Sequence, residues 1–207
     1  IKGHVSTIDC CKANDRVFFC TCGVGFDAAV SQKFAEEKRR GSLTYIKNTV
    51  AEYLSYKPEP YELLVDNQTI KEKAFLVACA NASQYGNNAF IAPHANIQDG
   101  QMDLTILSPF MPLDIAPLAI QLFTKQIDRN SKIKTMKARQ VTIIRQSPGV
   151  MHLDGEPIMA DNRIDISVIP QSLHVITPEV VSFTEEVHNL FGEVTRFFDK
   201  KLPYIFR

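Results

Sequence analysis

The sequence lacks most of the features that mark specialised classes of protein. Its 23 Lys and Arg residues balance its 23 Asp and Glu residues, so no overall field attracts nucleic acid and we expect no nucleic-acid partner. No apolar run approaches the roughly 20 residues that span a bilayer, and there is no repeat or low-complexity tract. With 45% hydrophobic and 22% charged residues, the composition is that of a soluble globular protein.

The sequence also lacks an initiator methionine and the layout of a signal peptide, so we expect a fragment or a processed piece of a longer protein. Its five cysteines are an odd number, which argues against a complete disulfide framework. The Cys20-x-Cys22 pair could bind a metal, but no second Cys/His pair has matching spacing. Buried free thiols in a reducing cytoplasm are the favoured interpretation.

Short strand patterns dominate the chain, interrupted by helical ones. We predict strands at 5–11, 16–22, 61–65, 69–70, 74–80, 102–107, 137–145, 150–153, 163–169 and 173–176. We predict helices from an Asp27 cap to Gly41, from Ser42 to about Leu54, and over 113–127, the last with Leu118, Leu122 and Phe123 facing inward. The order predicts a β-rich α+β fold, an antiparallel β-sandwich with a helix pair inserted after the second strand, over residues 1–178.

The C-terminal residues 179–207 read as a helical extension. Ser182 and Glu185 form a capping box, and an apolar stripe follows at helical spacing, so we expect a helix from about Phe183 to Lys201. The stripe could pack on its own domain, form a homodimer contact or meet a domain outside this chain. Contact with a membrane surface is a further alternative, although the helix lacks a strongly basic polar face.

The run Met151-His152-Leu153-Asp154-Gly155-Glu156 places two acids two residues apart across a glycine. Asp-Gly is above all a hairpin turn signal, so a plain turn is one interpretation. In such a turn the two carboxylates could also converge to take a proton from an alcohol or to hold a divalent cation. The spacing alone does not decide between these alternatives.

Three other segments could carry chemistry. Gly23 to Ala28, which includes Gly25 and Asp27, joins a strand to a helix and could let a ligand approach the backbone. The long polar loop from Asn81 to Gly100 follows a buried strand and holds Gly86 and His94, a possible general base. In the run from Asn96 to Asp103, Asp99 and nearby carbonyls are hard oxygen donors suited to Mg²⁺ or Ca²⁺. Packing or a turn is the alternative for each segment.

Taken together and in order, these motifs are specific. The sequence resembles the C-terminal, lipid-binding domain of the diacylglycerol kinase and sphingosine kinase family of lipid kinases. The matching runs are G-V-G-F-D-A at 23–28, K-R-R-G-S-L-T-Y at 38–45, A-N-A-S-Q-Y-G-N-N at 80–88, I-A-P-H-A at 91–95, D-G-Q-M-D-L at 99–104 and H-L-D-G-E at 152–156. The chain departs from the family at Gly86-Asn87-Asn88, where members often carry a run of glycines.

The resemblance implies a partner domain. Family members pair an ATP-binding α/β domain, which carries a Gly-Gly-Asp-Gly-Thr motif, with a β-sandwich that holds the lipid. This sequence contains no such motif, so the resemblance implies that the N-terminal ATP-binding domain lies outside the chain. It also implies Glu156 as the general base with Asp154 as its partner, and a structural Mg²⁺ held by Asn96, Asp99 and Gln101.

The implied function is transfer of the ATP γ-phosphate to a lipid hydroxyl, with ATP as co-substrate and Mg²⁺ as cofactor. Diacylglycerol is the expected acceptor, and a sphingoid base is the alternative. The implied location is cytoplasmic and peripheral, with transient contact with a membrane surface. A non-catalytic lipid-binding module and an enzyme with another substrate class, such as the related NAD kinases, remain as rivals. We expect the isolated chain to be inactive.

Overall fold

The computed structural model describes residues 3–36, 53 and 56–177, and it contains two six-stranded antiparallel sheets. Sheet A has the strand order β2-β1-β12-β9-β4-β5, and sheet B has the order β11-β10-β3-β6-β7-β8. The strands are β1 (His4–Ala13), β2 (Arg16–Phe18), β3 (Thr21–Gly25), β4 (Glu59–Val65), β5 (Gln68–Ala74), β6 (Leu76–Ala80), β7 (Met102–Leu107), β8 (Ile133–Ala138), β9 (Gln140–Arg145), β10 (Gly149–Leu153), β11 (Glu156–Ala160) and β12 (Arg163–Thr177). The predicted β-sandwich is confirmed.

The main core lies between the two sheets. Alternate residues of each strand point inward, and buried side chains from both sheets form one cluster that includes Phe18 and Leu63 of sheet A and Val24 and Leu104 of sheet B. These side chains fill the space between the sheets with mutual contacts. The sandwich is therefore held together mainly by burial of apolar area, at roughly 25 cal/mol per Å².

A second core covers the outer face of sheet B. Helix α1 (Phe26–Glu36) lies against β3, β10 and β11, and helix α2 (Ile115–Phe123) contributes Leu118 to a cluster with Leu76 and Ile91. Strand β6 therefore has apolar neighbours on both faces, and all five of its residues are buried. This burial explains why its sequence is a continuous apolar run rather than an alternating one.

Several predicted boundaries are wrong. The predicted strand 16–22 divides into β2 and β3, and the predicted strand 137–145 divides into β8 of sheet B and β9 of sheet A. The two predicted strands after 163 are one strand, β12, and β11 was not predicted. The helix predicted over 113–127 is shorter, because short 3₁₀ turns flank α2.

Within the described ranges, residues 7–173 belong to one compact unit and residues 3–6 and 174–177 to another. The predicted helices at 42–54 and 183–201 and the predicted boundary near residue 178 lie on or beside residues outside the described ranges. Four of the five cysteines are buried free thiols as predicted, whereas Cys20 is exposed. Burial raises the pKa of Cys11 to about 12, so this thiol is a poor nucleophile at neutral pH.

Candidate functional site

The Asp-Gly-Glu run forms the predicted hairpin turn between β10 and β11, in which Leu153 pairs with Glu156. Asp154 and Gly155 both have positive φ angles, of 51° and 86°. A two-residue hairpin turn of this handedness requires such angles, and Asp-Gly is a favoured sequence for it. The turn places Asp154 at the tip and Glu156 at the first position of β11.

The Asp154 carboxylate is held by the backbone of the segment between β2 and β3. Its oxygens accept N–H groups of Phe19, Cys20 and Thr21 at 2.8, 2.7 and 2.9 Å, and the Asp154 N–H donates to the Thr21 carbonyl at 2.8 Å. Successive N–H groups that point at one carboxylate stabilise its negative charge. These contacts also explain why the predicted strand 16–22 is broken, because the three amides turn toward Asp154.

Glu156 has a different environment from its neighbour. Both residues are exposed, but within residues 3–36, 53 and 56–177 Glu156 has no hydrogen bond or ion pair. Asp154 anchors the turn to sheet B, whereas Glu156 presents both carboxylate oxygens to solvent. Of the two acids, Glu156 is the one with oxygens available to take a proton from a bound molecule.

A polar cluster of the buried His152 and the partly buried Asp27 and Tyr85 supports the turn. His152 Nε2 lies 3.1 Å from Asp27 Oδ2, and the Tyr85 hydroxyl donates to the same oxygen at 2.9 Å. The Gly155 N–H donates to His152 Nδ1 at 3.4 Å, which leaves Nε2 as the ring nitrogen that faces Asp27. His152 thereby links helix α1 to the turn that carries Glu156.

Glycines 23 and 25 are required by packing around this cluster. A Cβ atom on Gly23 would lie 2.2 Å from Asp27 Oδ2 and 2.7 Å from His152 Nε2. Gly25 has φ 102°, and a Cβ atom there would lie 2.7 Å from the Phe75 carbonyl oxygen. Asp27 lies in the first turn of α1, which begins at Phe26, rather than at the cap position that we predicted. Its Oδ1 accepts the Ala28 N–H at 2.8 Å, and its Oδ2 faces His152. In the structure, the contacts of Gly25 and Asp27 therefore support the packing around His152.

Asn81 connects this region to the second Asp-Gly motif. Its side chain is buried, and its Nδ2 donates to the carbonyls of Phe19 and Asp9 at 2.8 and 3.0 Å. Asp9 is buried in β1, and its Oδ2 accepts the Gly100 N–H at 2.7 Å. The predicted site residue Asn81 therefore braces both the segment that holds Asp154 and the strand that holds the Asp99-Gly100 loop.

Asp99 is paired with a cation. Its Oδ2 lies 2.8 Å from Lys137 Nζ, which also lies 3.1 Å from Asp103 Oδ2, and its Oδ1 accepts the Gln101 N–H at 3.0 Å. Burial opposes the ammonium of Lys137, but its hydrogen bonds to Asp99 and Asp103 outweigh burial and raise its pKa. Burial raises the pKa of Asp103 more strongly than Lys137 lowers it, because Asp103 is the less exposed partner.

The predicted metal ligands offer hard oxygen donors. Asp99 supplies a carboxylate, and the Asn96 and Gln101 carbonyls lie on either side of it in the chain. The Asn96 Oδ1 atom accepts the Gln98 N–H at 3.0 Å, and the Asn96 backbone carbonyl accepts the Asp99 N–H at the longer distance of 3.4 Å. This chemistry fits Mg²⁺, with Asp99 Oδ2 shared with Lys137. The described residues contain no cluster of three or more His, Cys, Asp or Glu side chains that could hold a metal.

A cavity of about 450 Å³ lies beside Asp99 rather than beside Glu156. It is lined by Asp9, Gln98, Asp99, Gly100, Arg139, Gln140, Val168, Pro170 and Gln171. The buried Asp9 carboxylate forms part of its wall but already accepts N–H groups of Gly100 and Gln171 at 2.7 Å each. The cavity therefore adjoins the predicted metal ligands and is separate from the hairpin turn.

The polar loop predicted from Asn81 to Gly100 is present and contains no regular helix or strand. Gly86, Asn87 and Asn88 all have positive φ angles, of 121°, 48° and 62°, which Asn tolerates better than other non-Gly residues. His94 is exposed and lies 3.3 Å from Asp128, so the structure places it in a surface pair and gives it no contact with the hairpin turn.

Sequence reasoning missed the supporting side chains. Asp9, Tyr85 and Lys137 carry no local signal for their roles, because each partner lies far away along the chain. His152 stands in the quoted H-L-D-G-E run, two positions before Asp154, and lies within β10. Its partner Asp27 is 125 residues away, so the pair was not predictable from spacing.

The chain belongs to the family described as the YegS C-terminal NAD kinase β-sandwich-like domain, which matches residues 20–177. It is 27% identical over 180 residues to a Shewanella frigidimarina protein named "Probable lipid kinase YegS-like", covering 86% of this chain and 58% of that protein. It is 26% identical over 190 residues to a Mycobacterium tuberculosis protein named "Diacylglycerol kinase", covering 86% and 59%. The resemblance proposed from the sequence motifs is confirmed.

Solved structures show the same fold. A diacylglycerol kinase structure from Bacillus anthracis str. Sterne matches with a TM-score of 0.58 and 17% identity, covering 86% of this chain and 56% of that one. The chain therefore spans less than two thirds of the length of these relatives. None of the described helices is long and apolar enough to cross a membrane.

Proposed function

We propose that the whole protein containing this chain is an ATP-dependent lipid kinase with diacylglycerol as its acceptor. The observation that carries the proposal is the contrast within the hairpin turn, where Asp154 is tied to three backbone amides and Glu156 is exposed without a partner among the described residues. The family membership and the names of the relatives support a lipid substrate.

Glu156 acts as the general base in this proposal. As the lipid hydroxyl oxygen forms its bond to the γ-phosphorus, the bond from that phosphorus to the β,γ-bridging oxygen breaks, ADP leaves, and the hydroxyl proton passes to Glu156. Asp154 and His152 act as positioning residues, since they fix the turn from the two sides. ATP would be bound by residues outside this chain.

Mg²⁺ neutralises phosphate charge in this class of reaction and also stabilises protein loops when it binds to them. In this chain Asp99, with the backbone oxygens of Asn96 and Gln101, would hold such an ion. The Asp99 loop is joined to the hairpin turn through Asn81, so the ion would support the site rather than contact the acceptor. The proposed location is cytoplasmic and peripheral at the membrane.

The proposal is tested by incubating the whole protein with labelled ATP and one acceptor at a time: diacylglycerol, sphingosine or NAD. We expect labelled phosphatidic acid from diacylglycerol and no transfer by the 207-residue chain alone. Labelled sphingosine phosphate alone would move the assignment to a sphingoid-base kinase, and labelled NADP would move it to a nucleotide kinase. Lipid binding without transfer to any acceptor would indicate a non-catalytic module.

A further inference from the structure

Helix α2 and the turn before it expose more apolar surface than their place in the fold requires. No charged residue occurs from Ile115 to Thr124, and among these residues only Leu118 is buried. Four large side chains are more than half exposed, namely Met111 (70%), Leu113 (87%), Ile120 (64%) and Phe123 (56%). We call these four residues the α2 apolar surface. Phe123 was predicted to face inward, so this exposure corrects that prediction.

The exposure is not a consequence of loose packing. Leu118 and Leu122, which are four residues apart, contact the second core, and the Leu122 carbonyl accepts the Phe90 N–H at 2.9 Å. Ile120 and Phe123 are three residues apart and therefore lie on a common side of the helix. A helix that is apolar on all sides is normally covered on all sides, and here the part of the chain that the structure describes covers only one.

Basic residues follow the α2 apolar surface directly. Lys125 and Arg129 are exposed and Lys132 is partly exposed, and the acid among them, Asp128, lies 3.3 Å from His94. Lys125 Nζ lies 4.4 Å from the centre of the Phe90 ring, which keeps this charge beside the C-terminal end of α2. Exposed apolar side chains with adjacent basic charges match the boundary between acyl chains and anionic headgroups.

We propose that the α2 apolar surface docks the protein on anionic lipid bilayers, with Ile120 and Phe123 entering the acyl region and Arg129 and Lys132 contacting headgroups. This inference rests on the proposed function, because an enzyme whose acceptor is dissolved in a membrane must reach it there. The filled core between the sheets also favours a lipid contact on an outer surface.

Flotation of the whole protein with vesicles tests the inference. We expect binding to phosphatidylcholine vesicles that contain phosphatidylglycerol and weaker binding to phosphatidylcholine alone. The double variant I120S/F123S should lower the partition coefficient about tenfold or more, because two large side chains lose their burial. Val17→Ser is the matched control, since Val17 is an exposed apolar residue of sheet A, and it should bind like the wild type.

Variants that remove basic charges test the inference independently of the apolar variants. R129Q/K132Q should weaken binding to anionic vesicles by roughly fivefold for each charge, because each basic residue near the surface contributes about that much. Binding to phosphatidylcholine alone should barely change. K12Q/K73Q removes two exposed charges from sheet A and should have a much smaller effect.

Wild-type flotation by I120S/F123S would overturn the inference. So would a dimer that this variant converts to monomer, or a melting temperature that falls by several degrees without vesicles, because a second copy or the rest of the protein would then cover the surface. Transfer to dispersed short-chain diacylglycerol separates the two proposals. Activity there with unaltered flotation of I120S/F123S contradicts only the docking surface, whereas vesicle docking without any transfer contradicts only the kinase.

Discussion

The chain contains two Asp-Gly pairs that a reader of the sequence would treat alike, Asp154-Gly155 and Asp99-Gly100. In both, the glycine has a positive φ angle, of 86° and 67°. The aspartates differ. Asp154 is bound by three backbone N–H groups, whereas Asp99 is bound by the side-chain ammonium of Lys137 and by one backbone N–H group.

The difference shows how one local motif serves two purposes. A carboxylate held by backbone amides fixes the path of the chain and leaves the next acid, Glu156, exposed for chemistry. A carboxylate paired with a partly exposed ammonium stays accessible to a second cation. That cation could bind beside the ammonium or in its place. Asn81 connects the two Asp-Gly motifs, since its Nδ2 donates to the Phe19 carbonyl beside one motif and to the Asp9 carbonyl beside the other.

The largest effect on stability is expected from Asp154. Replacing Asp154 by Ala leaves three amides without their charged acceptor and should lower the free energy of unfolding by about 3 kcal/mol, because hydrogen bonds to charged groups contribute more than neutral ones. Glu156→Ala should change it by less than about 0.5 kcal/mol. Urea unfolding followed by circular dichroism gives both values, and equal losses would contradict the division of roles in the turn.

Glycine substitutions sharpen the comparison. Gly23→Ala places a methyl group against Asp27 and His152 and should cost about 2 kcal/mol through overpacking. Gly155→Ala and Gly100→Ala meet no atom closer than 3.9 Å, so each should cost only the roughly 1–2 kcal/mol of a left-handed backbone. Thermal unfolding of the three variants checks the order, and a smaller loss for Gly23→Ala than for the other two would contradict the tight packing at His152.

A smaller effect than at Asp154 is expected at Lys137. Lys137→Met should lower the free energy of unfolding by about 1 kcal/mol, since the ion pair is partly exposed. The raised pKa of Lys137 means that the folded chain binds this proton more tightly than the unfolded chain. The contribution is therefore complete below the ordinary value of 10.5 and is lost as pH rises through the raised pKa.

Unfolding of wild type and Lys137→Met between pH 8 and 12 measures this contribution. The difference between the two proteins should shrink as pH rises above about 10.5. A difference that stays constant across this range would show that Lys137 acts through its apolar stem rather than through its charge.

The sequence predicted the sandwich because its strands alternate and its turns carry strong signals. The Asp66-Asn67 and Asp154-Gly155 hairpins are both present. Strand ends were harder to predict because distant groups set them. The Asp66 carboxylate accepts N–H groups of Arg139 and Gln140, where the chain passes from sheet B to sheet A. An alternating pattern that runs through both strands contains no sign of this crossing.

The same limit applies to the site. Glu156 and Asp99 were identifiable from motifs, but the contacts that separate Asp154 from Asp99 come from residues far away in the sequence. The Asp9 carboxylate, for example, accepts the N–H of Gln171 at 2.7 Å, and Gln171 has φ 48° within β12. That local distortion directly follows Pro170. It lies in the gap between the predicted strands 163–169 and 173–176, where the structure has one strand.

Turnover by the Glu156→Gln and Asp154→Asn variants of the whole protein tests the central claim, which is that Glu156 reacts and Asp154 positions. We predict that Glu156→Gln lowers kcat by about a hundredfold or more, the usual range for loss of a general base, with unfolding unchanged. Asp154→Asn should be less stable than the wild type. It should nevertheless keep most of the wild-type kcat when it is assayed well below its own melting temperature. Wild-type kcat in Glu156→Gln would contradict the account.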